Sequence, residues 1–63
     1  MKIKRELFSE SALTGAIEAF SNLCSIKVSA STDGWDLAFS DCKYGRELTE
    51  KEFENYLIGL ENT

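Results

Sequence analysis

Apolar and polar residues alternate in three stretches of this chain, and apolar residues recur every three or four positions in two others. Residues 2–8 place Ile3 and Leu7 on one face with Arg5, and Lys2, Lys4 and Glu6 on the other. That alternation predicts a strand over 2–8. Arg5 is its misfit, long enough to carry its charge out over a sheet edge. Residues 25–31 and 35–40 repeat the period, with Ile26, Val28 and Ala30 matched by Trp35, Leu37 and Phe39. Thr32-Asp33-Gly34 lies between them and has turn chemistry, so the two runs predict a β-hairpin. A two-residue Asp33-Gly34 loop would pair Ala30 with Leu37 and Val28 with Phe39. A four-residue loop over 31–34 would pair Val28 with Leu37 and Ile26 with Phe39. Both keep apolar opposite apolar, so the pattern leaves the register open. The other face, Lys27, Ser29, Ser31, Asp36, Ala38 and Ser40, is small and polar and should meet water or a partner.

The helical periods bracket the hairpin. Leu13, Ala16, Ile17, Phe20, Leu23 and Cys24 follow three-and-four spacing, which predicts a helix over 10–23 that frays near Asn22 to Ser25. Ser9 is placed to cap it through its hydroxyl, and Phe8 and Leu13 form a hydrophobic staple. Gly15 costs about 1 kcal/mol against alanine inside a helix, which points to close packing on the sheet. Residues 41–48 read as a loop. A second helix is predicted over 50–60, with Thr49 as N-cap, Glu52 completing a capping box and Leu48 stapled to Phe53. Phe53, Tyr56, Leu57 and Leu60 form its buried stripe. Glu50, Glu54 and Glu61 leave its outer side acidic, and Gly59 with the Glu-Asn-Thr tail ends it.

Each helix has one apolar stripe and the hairpin one apolar face. A single core satisfies all of them if both helices pack on one side of a three-stranded sheet. The expected fold is therefore an α+β two-layer β-α-β-β-α sandwich occupying residues 1–63 as one domain. With the first two strands parallel, the third fits between them, giving order 1-3-2. The first two strands are then both edges, beside a bare polar face, and a surface of that kind invites another chain.

Composition narrows the function. Sixty-three residues bury only about 60% of the unfolded chain's surface, so stability should be modest. The net charge is −4, with four positive and three negative side chains in residues 1–28 against three and eight in 29–63. Such a balance repels phosphate and makes nucleic acid a poor partner, while basic proteins or peptides fit better. No basic-then-apolar leader and no run of roughly 20 apolar residues is present, so a cytoplasmic protein with both thiols reduced is expected.

Chemistry is harder to find. There is no histidine, the commonest proton shuttle near neutral pH. Cys24 lies on an apolar helix face and reads as a small buried hydrophobe. Cys42 lies in a polar loop, where Lys43 could lower its pKa, or it is a bystander. The two thiols with Asp41 would lack a fourth metal ligand. Asp33 is explained by turn chemistry, and the glycines belong to no phosphate-cradling motif. No catalytic, metal or cofactor-binding residue is expected. Trp35 is core by parity, whereas Tyr44, beside Gly45 and Arg46, is either an exposed anchor or edge packing.

The stretch Leu7-Phe8-Ser9-Glu10-Ser11-Ala12, the helix ending in Phe20, the Val28 strand and Glu52-Phe53-Glu54-Asn55-Tyr56-Leu57 together resemble the small D-component proteins of bacterial His-Xaa-Ser peptide-modification systems. The likeness runs over most of the chain and departs in the Cys42-to-Leu48 loop and the short acidic tail. The resemblance implies a non-enzymatic accessory protein working beside radical S-adenosylmethionine enzymes, which would own the chemistry and the iron–sulfur clusters. The expected function is thus a protein- or peptide-binding module, a scaffold or substrate-presenting partner. Its candidate contacts are Lys27, Ser29 and Ser31 on the open sheet, with Tyr44, Glu50 and Glu54 as a second surface. Two other classes fit the same chain: a self-associating structural domain paired through an edge strand, and a small acidic inhibitor encoded by a phage or mobile element.

Overall fold

A computed structural model describes residues 1–62; Thr63, which ends the expected tail, lies outside the described residues. The elements run β1 (Lys2–Lys4), α1 (Glu10–Ala19), β2 (Ser25–Ala30), β3 (Gly34–Ser40) and α2 (Arg46–Glu61). The strands form one sheet in the order β1-β3-β2, with β3 antiparallel to both neighbours. This is the expected α+β arrangement, with the expected strand order. The hairpin takes the register of the longer loop, pairing Ile26 with Phe39, Val28 with Leu37 and Ala30 with Trp35, and Ser31 and Gly34 also exchange bonds, so the turn itself is Thr32-Asp33.

One core joins all elements. Ile3, Trp35, Leu37 and Phe39 come from the sheet, Leu13 and Ala16 from α1, Phe20 and Cys24 from the turn that follows it, and Phe53 and Leu57 from α2. Phe53 is fully buried and meets Phe20 edge-on at 5.4 Å and Phe39 edge-on at 5.3 Å. Its ring therefore ties the end of α1, the middle of α2 and β3 into one unit. Such pairs add about 0.5–1.5 kcal/mol beyond the area they bury.

Several expectations give way to tertiary geometry. The first strand stops at Lys4 rather than residue 8. The chain turns there, and the Leu7 and Phe8 amides both donate to the Lys4 carbonyl at 3.1 Å. The turn brings Phe8 against the core and leaves Leu7 62% exposed. Arg5, the misfit, lays its guanidinium 4.9 Å from the centre of the Trp35 ring, a cation–π contact. Helix α1 ends at Ala19, short of residue 23, where the Leu23 and Cys24 amides fold back onto the Phe20 carbonyl. Gly15 faces α2 and not the sheet: a Cβ there would stand 3.5 Å from Leu60 Cδ1. The hairpin strands are 25–30 and 34–40, within one residue of expectation.

Helix α2 departs most. It begins at Arg46 after Gly45, whose φ of 91° is left-handed and favours glycine. Thr49 is thus inside the helix and buried. Its amide already bonds the Gly45 carbonyl at 3.1 Å, and its hydroxyl donates to the same oxygen at 2.7 Å. A capping side chain must instead accept from a free amide, so the Thr49–Glu52 box does not form. Leu48 is 52% exposed and staples nothing, and Tyr56, expected in the buried stripe, is 44% exposed at the stripe's margin beside Phe20. Ser9, by contrast, caps α1 as expected, accepting from the Ala12 amide at 3.1 Å.

Candidate partner-binding surfaces

The sheet has two edges, and they are not equivalent. Antiparallel ladders alternate, so every second residue exchanges bonds with its partner and the residues between aim their amides and carbonyls outward. Ser31 and Gly34 exchange both bonds, which sets the phase of the β2–β3 ladder. In the observed register Ser25, Lys27 and Ser29 then face β3, and Ile26, Val28 and Ala30 point their backbone groups away from it. On the other side Met1 and Leu37 exchange bonds and the Arg5 amide donates to the Asp33 carbonyl. That phase leaves only Lys2 and Lys4 outward on β1, and the Lys4 carbonyl is taken by the turn that follows. The β1 edge is short, flanked by two lysines and closed at one end, a protected edge. The β2 edge is open along its length.

The side chains of β2 deepen the contrast. Ile26 is half-buried, but Val28 is 45% exposed and Ala30 is exposed, although both lie on the helix side of the sheet opposite Leu37 and Trp35. The helices cover β3 and leave the outer half of β2 bare, so the hairpin face expected to be buried is buried on one strand only. Alternation could not reveal this, because parity says which way a side chain points and not what lies above it.

The structure places the candidate residues in two separate regions. Lys27 and Ser29 are exposed on the open sheet face, with Ser31 exposed at the hairpin turn. On that face Ser29, Asp36 and Lys2 lie side by side across the three strands. Tyr44 is 63% exposed in the loop before α2, which resolves its alternatives in favour of exposure. Glu50 is half-buried and its carboxylate lies 3.6 Å from Arg46, one turn earlier, so it belongs to a local ion pair. Glu54 is exposed. Glu61 of the same acidic side is engaged too, accepting bonds from Ser9 at the start of α1. The sheet residues and the α2 residues belong to opposite layers and do not form one site.

Charge follows the layers more closely than the halves of the chain. The two helices carry seven acidic side chains (Glu10, Glu18, Glu47, Glu50, Glu52, Glu54, Glu61) against Arg46 and Lys51. The sheet and its loops carry five basic side chains against four acidic, so the whole excess of negative charge sits on the helix layer. A partner approaching the sheet meets a near-neutral, slightly basic surface.

Two open depressions lie near the hairpin turn, one lined by Lys4, Arg5, Glu6 and Asp33, the other by residues including Lys2, Ser31 and Trp35. Among the described residues no group of three or more histidine, cysteine or carboxylate side chains is placed to hold a metal ion. No described helix is long and apolar enough to cross a membrane. Cys24 is buried and Cys42 half-buried. Burial pushes the Cys24 thiol above its usual range, and the neighbouring Cys42 side chain pushes the same way. No family model, curated protein or solved structure matches the chain.

Proposed function

We propose that this chain is a non-catalytic protein-binding module that accepts an extended partner strand along β2. The observation that carries the reading is the open edge: three successive outward-facing residues, Ile26, Val28 and Ala30, beside an uncovered valine and a bare polar sheet face. An added strand would gain main-chain hydrogen bonds from the edge, bury Val28 on the helix side and lie beside Lys27 and Ser29 on the other. The acidic helix layer disfavours nucleic acid. The resemblance to the D components supplies a partner class, a radical S-adenosylmethionine enzyme or its repeat-bearing substrate, with this chain as scaffold or presenting partner in the cytoplasm.

A photo-crosslinking residue at Ser29 tests this in the native host, with a second probe at Glu54. The reading expects a defined protein adduct from position 29 that disappears in Val28→Lys, whose charge blocks an edge. Val28→Pro should abolish it as well, because proline removes an outward amide that the native ladder does not use. Adducts formed only from position 54 would move the binding surface to α2 and overturn the assignment to β2.

One observation favours a second reading, self-association. Two β2 strands related by a two-fold axis at Val28 would pair Val28 with its copy and Ile26 with Ala30, while Lys27 would face Ser29 and not another lysine. Sedimentation equilibrium separates the readings: a dimer disrupted by Val28→Lys supports this one, and a monomer across the accessible concentration range excludes it.

A further inference from the structure

We infer that Cys24 and Cys42 form a two-electron dithiol site that closes to an intrachain disulfide when a disulfide oxidant such as oxidised glutathione is present. The placement comes from one inserted residue. Ser25 pairs with Ser40, and two positions further down β2's side the Leu23 carbonyl accepts the Lys43 amide at 2.8 Å. Between those two links lies Cys24 alone on one strand, but both Asp41 and Cys42 on the other. Two residues opposing one is the arrangement of a β-bulge. Asp41 absorbs the extra length with a left-handed φ of 51°, a conformation that aspartate tolerates better than most residues. Were the ladder to continue unbroken past Ser40, Asp41 would oppose Cys24 and Cys42 would point to the open face. With the extra residue Cys42 turns to the helix side, where it packs against the core that contains Cys24.

The position suits a bridge. Cys24 and Cys42 lie between two hydrogen-bonded links that hold their backbones side by side, where antiparallel partners stand about 4.5–5.5 Å apart, and the Cys42 side chain is a direct neighbour of Cys24. Disulfides span about 4.4–6.8 Å between Cα atoms, so no strand needs to move far. The two thiols now donate to different carbonyls, Cys24 to Phe20 at 3.8 Å and Cys42 to Ser40 at 3.9 Å, weak bonds that a rotation about each Cβ releases. The bridge would join the exit of α1 to the entry of α2 across the open end of the hairpin.

The more accessible sulfur reacts first. Cys42 loses its proton to solvent, and its thiolate attacks one sulfur of glutathione disulfide. The S–S bond breaks, one glutathione leaves as a thiolate and takes up a proton, and Cys42 carries the mixed disulfide. Cys24, deprotonated in turn, attacks the Cys42 sulfur and expels the second glutathione, which is also protonated. Two protein thiols are oxidised by two electrons and one glutathione disulfide is reduced to two thiols.

The test is titration of the full chain with mixtures of oxidised and reduced glutathione, followed by acid quench, alkylation and intact-mass measurement. The expected product is a monomer about 2 Da lighter with no alkylated cysteine and no retained glutathione. Its thermal midpoint should rise by about 10 °C, because the bridge restricts the unfolded chain. Cys24→Ala should stop at a stable glutathione adduct on Cys42. Moving the thiol one position along, in Cys42→Ser with Lys43→Cys, places it at the position linked to Leu23, whose side chain alternates to the open face, and should slow closure at least tenfold in protein that still gives the native circular dichroism spectrum. A persistent mixed disulfide in the parent chain, a disulfide between two chains, or two thiols that survive strong oxidant each overturn the inference.

Discussion

The carboxylate of Glu61, at the end of α2, accepts the Ser9 amide at 2.6 Å and the Ser9 hydroxyl at 2.8 Å. Ser9 meanwhile accepts from the Ala12 amide, so one serine both caps α1 and joins it to α2. The two bonds hold the Glu61 carboxyl below its usual range. A group whose folded pKa is depressed stabilises the fold above its unfolded pKa, and the contribution fades as pH falls through the folded value. Urea unfolding of the parent and Glu61→Gln from neutral pH to pH ~3 should therefore show the parent ahead at neutrality, with the gap closing on the acid side of the ordinary glutamate range. The gap is small because the carboxylate is fully exposed to solvent. A gap that grows with acid would refute the assignment.

Gly34 is required by proximity. Its φ is not left-handed, but a Cβ there would overlap the Ile3 carbonyl oxygen and stand 2.8 Å from the Arg5 amide, backbone atoms of β1 and of the residue just after it. Gly34→Ala should cost about 2–3 kcal/mol or detach β1, visible as fast amide exchange at Trp35 and Leu37. Gly59, with open space around it in α2, is the control: Gly59→Ala should stabilise by about 0.5–1 kcal/mol.

Helix α2 beginning at Arg46 has a sharp consequence at Thr49. At an N-cap, aspartate replaces threonine without loss. At a buried position inside the helix it places a charge against the core, so Thr49→Asp should cost at least ~2 kcal/mol in chemical denaturation. Thr49→Val, which keeps the shape and leaves Gly45's carbonyl its bond from the Thr49 amide, should cost about 1 kcal/mol or less.

Phe53 should be the most damaging truncation. Its ring contacts both Phe20 and Phe39, and Phe53→Ala should cost about 3–5 kcal/mol. That is comparable with the whole stability of a domain this small, so the variant should show a lost or very broad thermal transition by circular dichroism.

The sequence by itself determined the number, order and type of elements, most of the residues that point toward a common core, and the α+β class. Periods of two and of three to four mark the type of each element, because they follow from backbone geometry. The layer arrangement was legible as well, since one apolar face on each element leaves few ways to share a core, and the strand order followed from a parallel crossover with the hairpin strand between. Only the tertiary structure decided where elements stop and what their faces meet. Thr49 has an N-cap's composition but lies past the glycine that begins the helix. Arg5 breaks a strand pattern because it belongs over Trp35. Val28 has a core residue's parity and no helix above it, which leaves the outer half of β2 uncovered. Asp41 adds one residue to one strand and so turns Cys42 toward Cys24. Each of these depends on contacts between residues distant in the chain, and a local period carries no information about them.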